Sequence, residues 1–162
     1  MDTLETWVAR IGQAVAWLTL VMVVLTFCVV VLRYGFSLGW IALQETVTYL
    51  HASVFMLAAA WTLQAGGHVR VDIFYRRGSD RHRAIVDLLG AVLLLIPFCV
   101  FLLAIGWTYV LSSWKLLEGS REAGGLPLVY LLKTLILLLP ALLLLQSIPF
   151  AARNWRALRT SG

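Results

Sequence analysis

The chain has 162 residues, of which 61% are hydrophobic and only 13% are charged, and its mean hydropathy is +0.89. A globule of this size has too little interior to hide so much apolar surface, so lipid must cover the remainder. The formal charge of +5 would suggest a nucleic-acid partner in a soluble protein, but here the basic residues lie between long apolar runs and indicate membrane topology instead.

The first predicted element is a transmembrane helix over residues 11–32. These 22 residues carry no charge, and at about 1.5 Å per residue they cross a hydrocarbon layer of about 30 Å. A cleaved signal peptide has an apolar stretch of about 7–15 residues and a small-residue cleavage site, whereas this run is longer and ends in Val31, Leu32 and Arg33. We therefore expect the segment to remain as a membrane span.

Residues 40–63 form the second predicted span, and the short link before it predicts that the first two helices are antiparallel neighbours. The pair Gly66-Gly67 is expected to end the second helix. A basic segment follows over residues 68–83, with five arginines and two histidines. Ser79 is placed to cap the helix that comes next.

The third predicted span covers residues 84–112 and the fourth covers residues 127–150. Pro97 lies near the centre of the third span, where it removes one backbone hydrogen bond and is expected to kink the helix. Pro127 is expected to be the first residue of the fourth helix, a position that proline favours. The predicted fold class is all-α, a polytopic membrane protein in which residues 1–162 form a single four-helix transmembrane domain.

The distribution of lysine and arginine predicts the orientation, because the cytoplasmic flanks of membrane helices retain the excess of positive charge. With both termini in the cytoplasm, nine of the 13 basic residues lie inside and four lie outside. The four outside are Arg33, Lys115, Arg121 and Lys133. Tryptophans near the predicted helix ends fit membrane-interface positions: Trp7, Trp40, Trp114 and Trp155.

The second span carries the polar residues that suggest a function. Four of them recur at three- and four-residue spacing and predict one polar stripe: Gln44, Glu45, Thr48 and His51. An ionisable side chain among acyl chains is costly, so Glu45 is expected to face another helix, a partner protein or a wet cavity. Lys133 lies at a similar predicted depth, about 8–9 Å below the outer surface, so we expect it to be coupled to Glu45, directly or through a shared partner. Direct ion or substrate handling by Glu45 remains open.

We predict no catalytic residue, cofactor site or metal site. His51 has no second histidine at similar depth for bis-histidine haem ligation. Cys28 and Cys99 lie alone in apolar runs, without the spacing of a metal or redox motif. The chain also holds no Ser-His-Asp constellation, P-loop or zinc signature, so we do not expect an enzyme.

The segment after the second span gives the strongest local signal. It contains His68, Arg70, Asp72 and Tyr75 in the run His68-Val69-Arg70-Val71-Asp72-Ile73-Phe74-Tyr75. This run closely resembles the "hxrVDxxY" segment of the DctQ-like small membrane subunit of TRAP transporters, the tripartite ATP-independent periplasmic family. Three further stretches agree with the family: Trp40 to Tyr49 with its Gln44-Glu45 pair, Glu118-Gly119-Ser120 before Gly125-Leu126-Pro127, and Tyr130 with Lys133. The likeness covers nearly the whole chain.

The resemblance implies a non-catalytic subunit in the bacterial inner membrane that scaffolds a larger, DctM-like membrane subunit. A DctP-like periplasmic binding protein would deliver an organic acid. The large subunit would import it with an ion gradient, typically sodium, and without ATP. Membrane lipids are the other expected partners, and nucleic acid is not one.

Two other functions remain as alternatives. The first is a small proton-coupled multidrug exporter that acts as a homodimer through Glu45, although such exporters are usually shorter and carry the key glutamate in the first span. The second is a membrane anchor for a redox enzyme, and the single histidine within the predicted spans counts against it.

Overall fold

A computed structural model describes residues 2–68 and 78–160 of the chain. The described residues form four long helices: α1 (Asp2–Gly35), α2 (Ile41–Gln64), α3 (Asp80–Leu116) and α4 (Val129–Thr160). All four are long and apolar enough to cross a membrane. The predicted all-α class with four spans is therefore confirmed, and α1 and α3 extend beyond their predicted spans at both ends.

The helices pack side by side in the order α1, α2, α4, α3. Within the described ranges, α3 packs only on α4 and reaches neither α1 nor α2. The prediction that α1 and α2 are neighbours is confirmed, and α1 also touches α4, where the Glu5 carboxylate lies 3.1 Å from the Arg153 guanidinium. The result is an open row rather than a closed four-helix bundle, because among the described residues α1, α2 and α4 contact one another whereas α3 contacts α4 alone. It leaves broad apolar faces open, with Trp17 71% and Phe27 67% exposed on α1.

Helix α1 packs on α2 through a stripe with the seven-residue repeat of coiled coils. Its less exposed positions are spaced three and four apart: Val8, Ile11, Val15, Leu18, Met22, Leu25, Val29 and Leu32. The backbone of Gly12 lies directly against Trp61 of α2, because a Cβ built on Gly12 would come within 2.5 Å of the indole. The stripe fixes α1 beside α2 and leaves the rest of α1 facing outward.

The helix ends follow the sequence signals at two of the predicted places. The Ser79 hydroxyl accepts the His82 N–H at 3.3 Å, which confirms the predicted cap of α3. Helix α2 ends at Gln64, and Gly66 follows with a φ of +69°, a conformation that glycine adopts without strain. Before Pro97 the backbone widens into a π-helical segment, Ala91–Leu95. A π-helical turn is one way in which a helix accommodates the ring and the missing N–H of a proline, and the predicted kink itself stays a prediction.

Pro127 does not begin α4, so that prediction was wrong. The helix begins at Val129, after Leu128, whose carbonyl accepts the first helical N–H groups. Pro127 instead packs in the preceding loop against Gly119. A Cβ built on Gly119 would lie 3.3 Å from the Cα of Pro127. The residue before it, Leu126, uses its N–H and its carbonyl in loop contacts, which delays the helix by two residues.

Helix α4 is the centre of the described structure. Four of its side chains are fully buried: Pro140, Gln146, Ser147 and Pro149. Cys99 of α3 is also buried, whereas Cys28 of α1 is exposed on an apolar face, and both are free thiols. The central position of α4 places its first turns, which carry Lys133, beside the loop that connects it to α3.

Candidate functional site: the polar cluster at the loop end

Residues 36–40 and 117–128 connect helices at the same end of the molecule, which we name the loop end. Leu117, with a φ of +45°, ends α3 and turns the chain into the longer connection. This connection closes on itself, because the Ser120 N–H donates to the Leu126 carbonyl at 2.9 Å. The loop over residues 117–128 is therefore a folded element and can hold side chains in fixed positions.

Glu45 of α2 anchors this loop. Its Oε1 accepts the hydroxyl of Ser120, and its Oε2 accepts the N–H of Leu126 at 2.6 Å. Hydrogen bonds to an ionised carboxylate are stronger than bonds between neutral groups. Glu45 therefore faces a loop of its own chain, a possibility that the sequence did not suggest.

Gly125 makes the contact with Glu45 sterically possible. A Cβ at this position would lie 2.5 Å from the Ser120 Cβ and 2.9 Å from the Glu45 Oε1. Neither neighbour is the free end of a flexible chain, because both are held in the cluster. The glycine is required here because the loop backbone passes so close to the carboxylate.

A second carboxylate, Glu118, is held by the helices on either side of the loop. Lys133 of α4 donates to its Oε2 at 2.5 Å, and the hydroxyl of Ser113 of α3 donates to the same oxygen at 2.7 Å. The Lys133 ammonium also lies 4.1 Å from the centroid of the Tyr109 ring. The bond from Lys133, and after it the bond from Ser113, lowers the pKa of the Glu118 carboxyl below its usual value. Glu118 is therefore ionised at neutral pH.

Glu45 and Lys133 do not pair directly, so that form of the predicted coupling was wrong. Their depths are similar, but the loop lies between them and supplies each with a nearer partner. Lys133 takes the carboxylate of Glu118, and Glu45 takes two donors of the loop. Both residues therefore stabilise the same loop from different sides, and a contact that they share with another protein remains a prediction.

The predicted polar stripe of α2 also needs correction. Thr48 and His51 are exposed, Gln44 is half-exposed, and the side chain of Phe55 continues the same line at 75% exposed. Glu45 follows Gln44 directly, so it points about 100° away around the helix and reaches the loop instead. We name the remaining line, Gln44, Thr48, His51 and Phe55, the outer stripe.

The outer stripe borders an open groove between α1 and α2. The groove has a volume of about 460 Å³ and is lined by Met22, Val23, Thr26, Val47, Thr48 and His51. Its hydroxyl groups are satisfied locally, because Thr26 donates to the Met22 carbonyl at 2.7 Å and Thr48 donates to the Gln44 carbonyl at 3.3 Å. The third polar residue of the groove, His51, has no such hydrogen bond within the described residues.

The motif segment begins at His68, which follows the end of α2 away from the loop end. A ring nitrogen of His68 lies 3.2 Å from the Ala59 carbonyl, which holds the start of the segment against α2. Arg70, Asp72 and Tyr75 lie outside the described residues. Their predicted part in the site therefore remains a prediction.

Sequence reasoning missed the roles of Glu118, Ser113 and Ser120. Glu118 and Ser120 stand in a polar stretch between helices, where side chains are ordinarily solvated, and Ser113 lies in the last turns of a helix. The signal that could have found them is the pair of Gly-containing runs around residues 119 and 125, because glycines in a short connection allow close backbone approach. In the two ranges that the structure describes, no three His, Cys, Asp or Glu side chains are placed to hold a metal ion.

Comparison with known proteins gives one match. A family model described as "Tripartite ATP-independent periplasmic transporters, DctQ component" matches residues 22–157. No curated protein and no solved structure matches the chain. The matched range contains the whole of α2 and α3, the loop over residues 117–128, and Lys133.

Proposed function

The chain belongs to the family of DctQ components, the small membrane subunits of TRAP transporters, and from that premise we propose that it is a non-catalytic scaffold for a DctM-like large subunit. In the proposed complex, a DctP-like periplasmic binding protein delivers an organic acid. The large subunit then imports the acid with a sodium gradient and without ATP. We place the complex in the bacterial inner membrane.

The observation that carries this proposal is the open row of helices. Substrate sites of secondary transporters lie near the bilayer midplane, commonly where helices are broken and face one another. Here the carboxylates of Glu45 and Glu118 lie at the loop end. Both oxygens of Glu45 and the Oε2 of Glu118 are committed to bonds that fold the loop. A row with two apolar faces is suited to lying against another membrane protein, and that is the role of a scaffold.

The bonds of Glu45 also weigh against a multidrug exporter. A carboxylate that exchanges protons for cationic substrates has to release its partners in each cycle. Both oxygens of Glu45 are bound to loop groups, Ser120 and Leu126, whose release would open the loop. We therefore favour the scaffold over proton exchange.

We propose that the loop end faces the periplasm and that both termini lie in the cytoplasm. The split of nine and four basic residues supports this orientation. Fusions to a reporter that is active only in the periplasm test it. The reporter should be silent after residue 78 and after residue 162, and active near Ser37 and near residue 122. The reverse pattern at any of these sites would contradict the orientation.

Complex formation tests the scaffold function. The chain, with an affinity tag, would be co-expressed with the large subunit and the binding protein of its transporter and purified in a mild detergent. We expect the large subunit to co-purify in a fixed ratio, and an untagged chain serves as the control for background. A large subunit that reaches the membrane in full amount but never co-purifies would contradict the proposal.

A further inference from the structure

We propose that the outer stripe of α2, with the adjoining groove, binds a membrane-spanning helix of the large subunit that presents a hydrogen-bonding side chain to His51. The proposal rests on the proposed function and specifies which surface serves it. It differs from the loop-end cluster in location and in chemistry, because that cluster satisfies its own polar groups.

The depth of His51 is the first step of the argument. His51 lies ten residues after the first residue of the 24-residue helix α2, so it is about 15 Å along a helix of about 36 Å. This places the imidazole close to the middle of the bilayer. Its ring lies 6.4 Å from the ring of Phe55, measured between centroids, and it takes part in no hydrogen bond with the described residues.

The surroundings of His51 are the second step. Lysine and arginine reach the headgroups from a buried position with their long stems, but an imidazole at mid-membrane is too short to do so. Lipid tails offer no hydrogen bond, and an unsatisfied polar group in hydrocarbon is costly. A protein partner with a polar side chain at that depth removes this cost.

The shape of the surface is the third step. The groove between α1 and α2 runs beside His51 and has threonines on both sides, Thr26 and Thr48. Small residues at a helix interface let a partner helix approach closely. Phe55, at 75% exposed, stands further along the stripe and gives the partner a large apolar contact.

The large subunit is the occupant that the proposed function supplies, because the matched family is a component of tripartite transporters. The helix segments 11–32, 91–112 and 134–150 contain no charged residue, and the carboxylate of α2, Glu45, is committed to the loop. A second copy would therefore bring only neutral groups, such as its own His51, to this depth, and the cross-linking experiment separates it from the large subunit.

Photo-cross-linking within the assembled transporter tests the surface. A benzoyl-phenylalanine would replace Phe55 of the outer stripe or, as a matched control, Phe101 of α3. Phe55 and Phe101 are 75% and 56% exposed, and both lie about 21–23 Å from the loop end of their helices. We expect an adduct with the large subunit from position 55 and not from position 101.

Three results would overturn the proposal: equal or stronger adducts from position 101, an adduct of position 55 with a second copy of this chain, or no adduct from position 55. Co-purification of the unmodified complex is recorded in the same experiment. If the proposed surface is wrong but the scaffold function is right, the complex still co-purifies without an adduct from position 55. If the scaffold function is wrong, co-purification itself is lost.

Substitutions of His51 test the polar contact. We expect His51→Leu to lower the amount of co-purified large subunit about five- to tenfold, the effect of one lost hydrogen bond, and His51→Gln to stay within about twofold of the original chain. Phe101→Leu is the control and should change nothing. Equal recovery with His51→Leu and His51→Gln, at equal amounts of folded chain, would overturn the role of His51.

Discussion

The polar residues on two sides of helix α2 differ in whether the chain supplies their hydrogen-bond partners. On one side Glu45 has both carboxylate oxygens bound by the loop over residues 117–128. On the other side His51 is exposed in the middle part of α2 and makes no hydrogen bond with the described residues. The comparison teaches that polarity in a membrane helix stabilises the fold where the chain supplies the partner. At His51, where the described chain supplies no hydrogen-bond partner, we propose that the polar group serves a contact with another protein.

The largest loss of stability is expected when a side chain fills the space between the backbone of Gly125 and the carboxylate of Glu45. Gly125→Val places a side chain against Ser120 and Glu45, so the loop has to open, and overpacking of this kind costs about 1–3 kcal/mol. We expect a clear fall in the melting temperature of the purified chain in detergent. Gly39→Ala is the control at the same end, because nothing lies within 4 Å of its Cβ position. If the Gly125→Val chain had the same melting temperature as the original chain, the loop would not be held as described.

The second effect concerns the pairing of Lys133. Glu118→Gln and Lys133→Met should each lower the melting temperature, and the double variant should melt close to the lower single variant, because both remove the same bond. Glu45→Gln combined with Lys133→Met should be nearer to additive. If the interaction energy between positions 45 and 133 were larger than that between positions 118 and 133, the result would support a direct pair of Glu45 and Lys133 and contradict the pair of Glu118 and Lys133.

A third, smaller effect depends on pH. The pKa of Glu118 is lower in the folded chain than its unfolded value of about 4.3, so the stability that it contributes is present above that pH. This contribution is lost as the pH falls through the folded-state pKa. The melting temperature should therefore decline below about pH 4 more steeply for the original chain than for Glu118→Gln. If the melting temperatures of the two proteins fell in parallel with pH, the stabilising role of the ionised Glu118 would be contradicted.

The smallest effect is expected on the other side of α2. His51→Leu should leave the melting temperature of the isolated chain within about 1 °C of the original, because surface substitutions away from special contacts change stability by less than about 0.5 kcal/mol. A large loss of stability in the isolated chain would mean that His51 serves the fold, and the contrast with Glu45 would disappear.

The sequence predicted the helices well because long apolar runs and end signals such as Ser79 and Gly66 depend on neighbours in the chain. It predicted the site less well. Periodicity grouped Glu45 with His51, although a difference of one position turns the side chain by about 100°. The partners of Glu45 are a hydroxyl and a backbone N–H, 75 and 81 residues away, and no local pattern reports contacts of that range.

The start of α4 shows the same limit on a smaller scale. Pro127 has the local preference for a first helical position, but the preceding Leu126 is already bonded to Glu45 and Ser120. Tertiary contacts thus override a propensity that is correct on average. Glu118 was missed for a related reason, since its partners Ser113 and Lys133 belong to two different helices.

Uptake by reconstituted vesicles tests the scaffold account most directly. Proteoliposomes would contain the large subunit with or without this chain, or this chain alone, and would receive the binding protein, labelled organic acids and a sodium gradient. The account predicts uptake only when the large subunit and this chain are both present. Uptake by this chain alone, or equal uptake by the large subunit without it, would contradict the account.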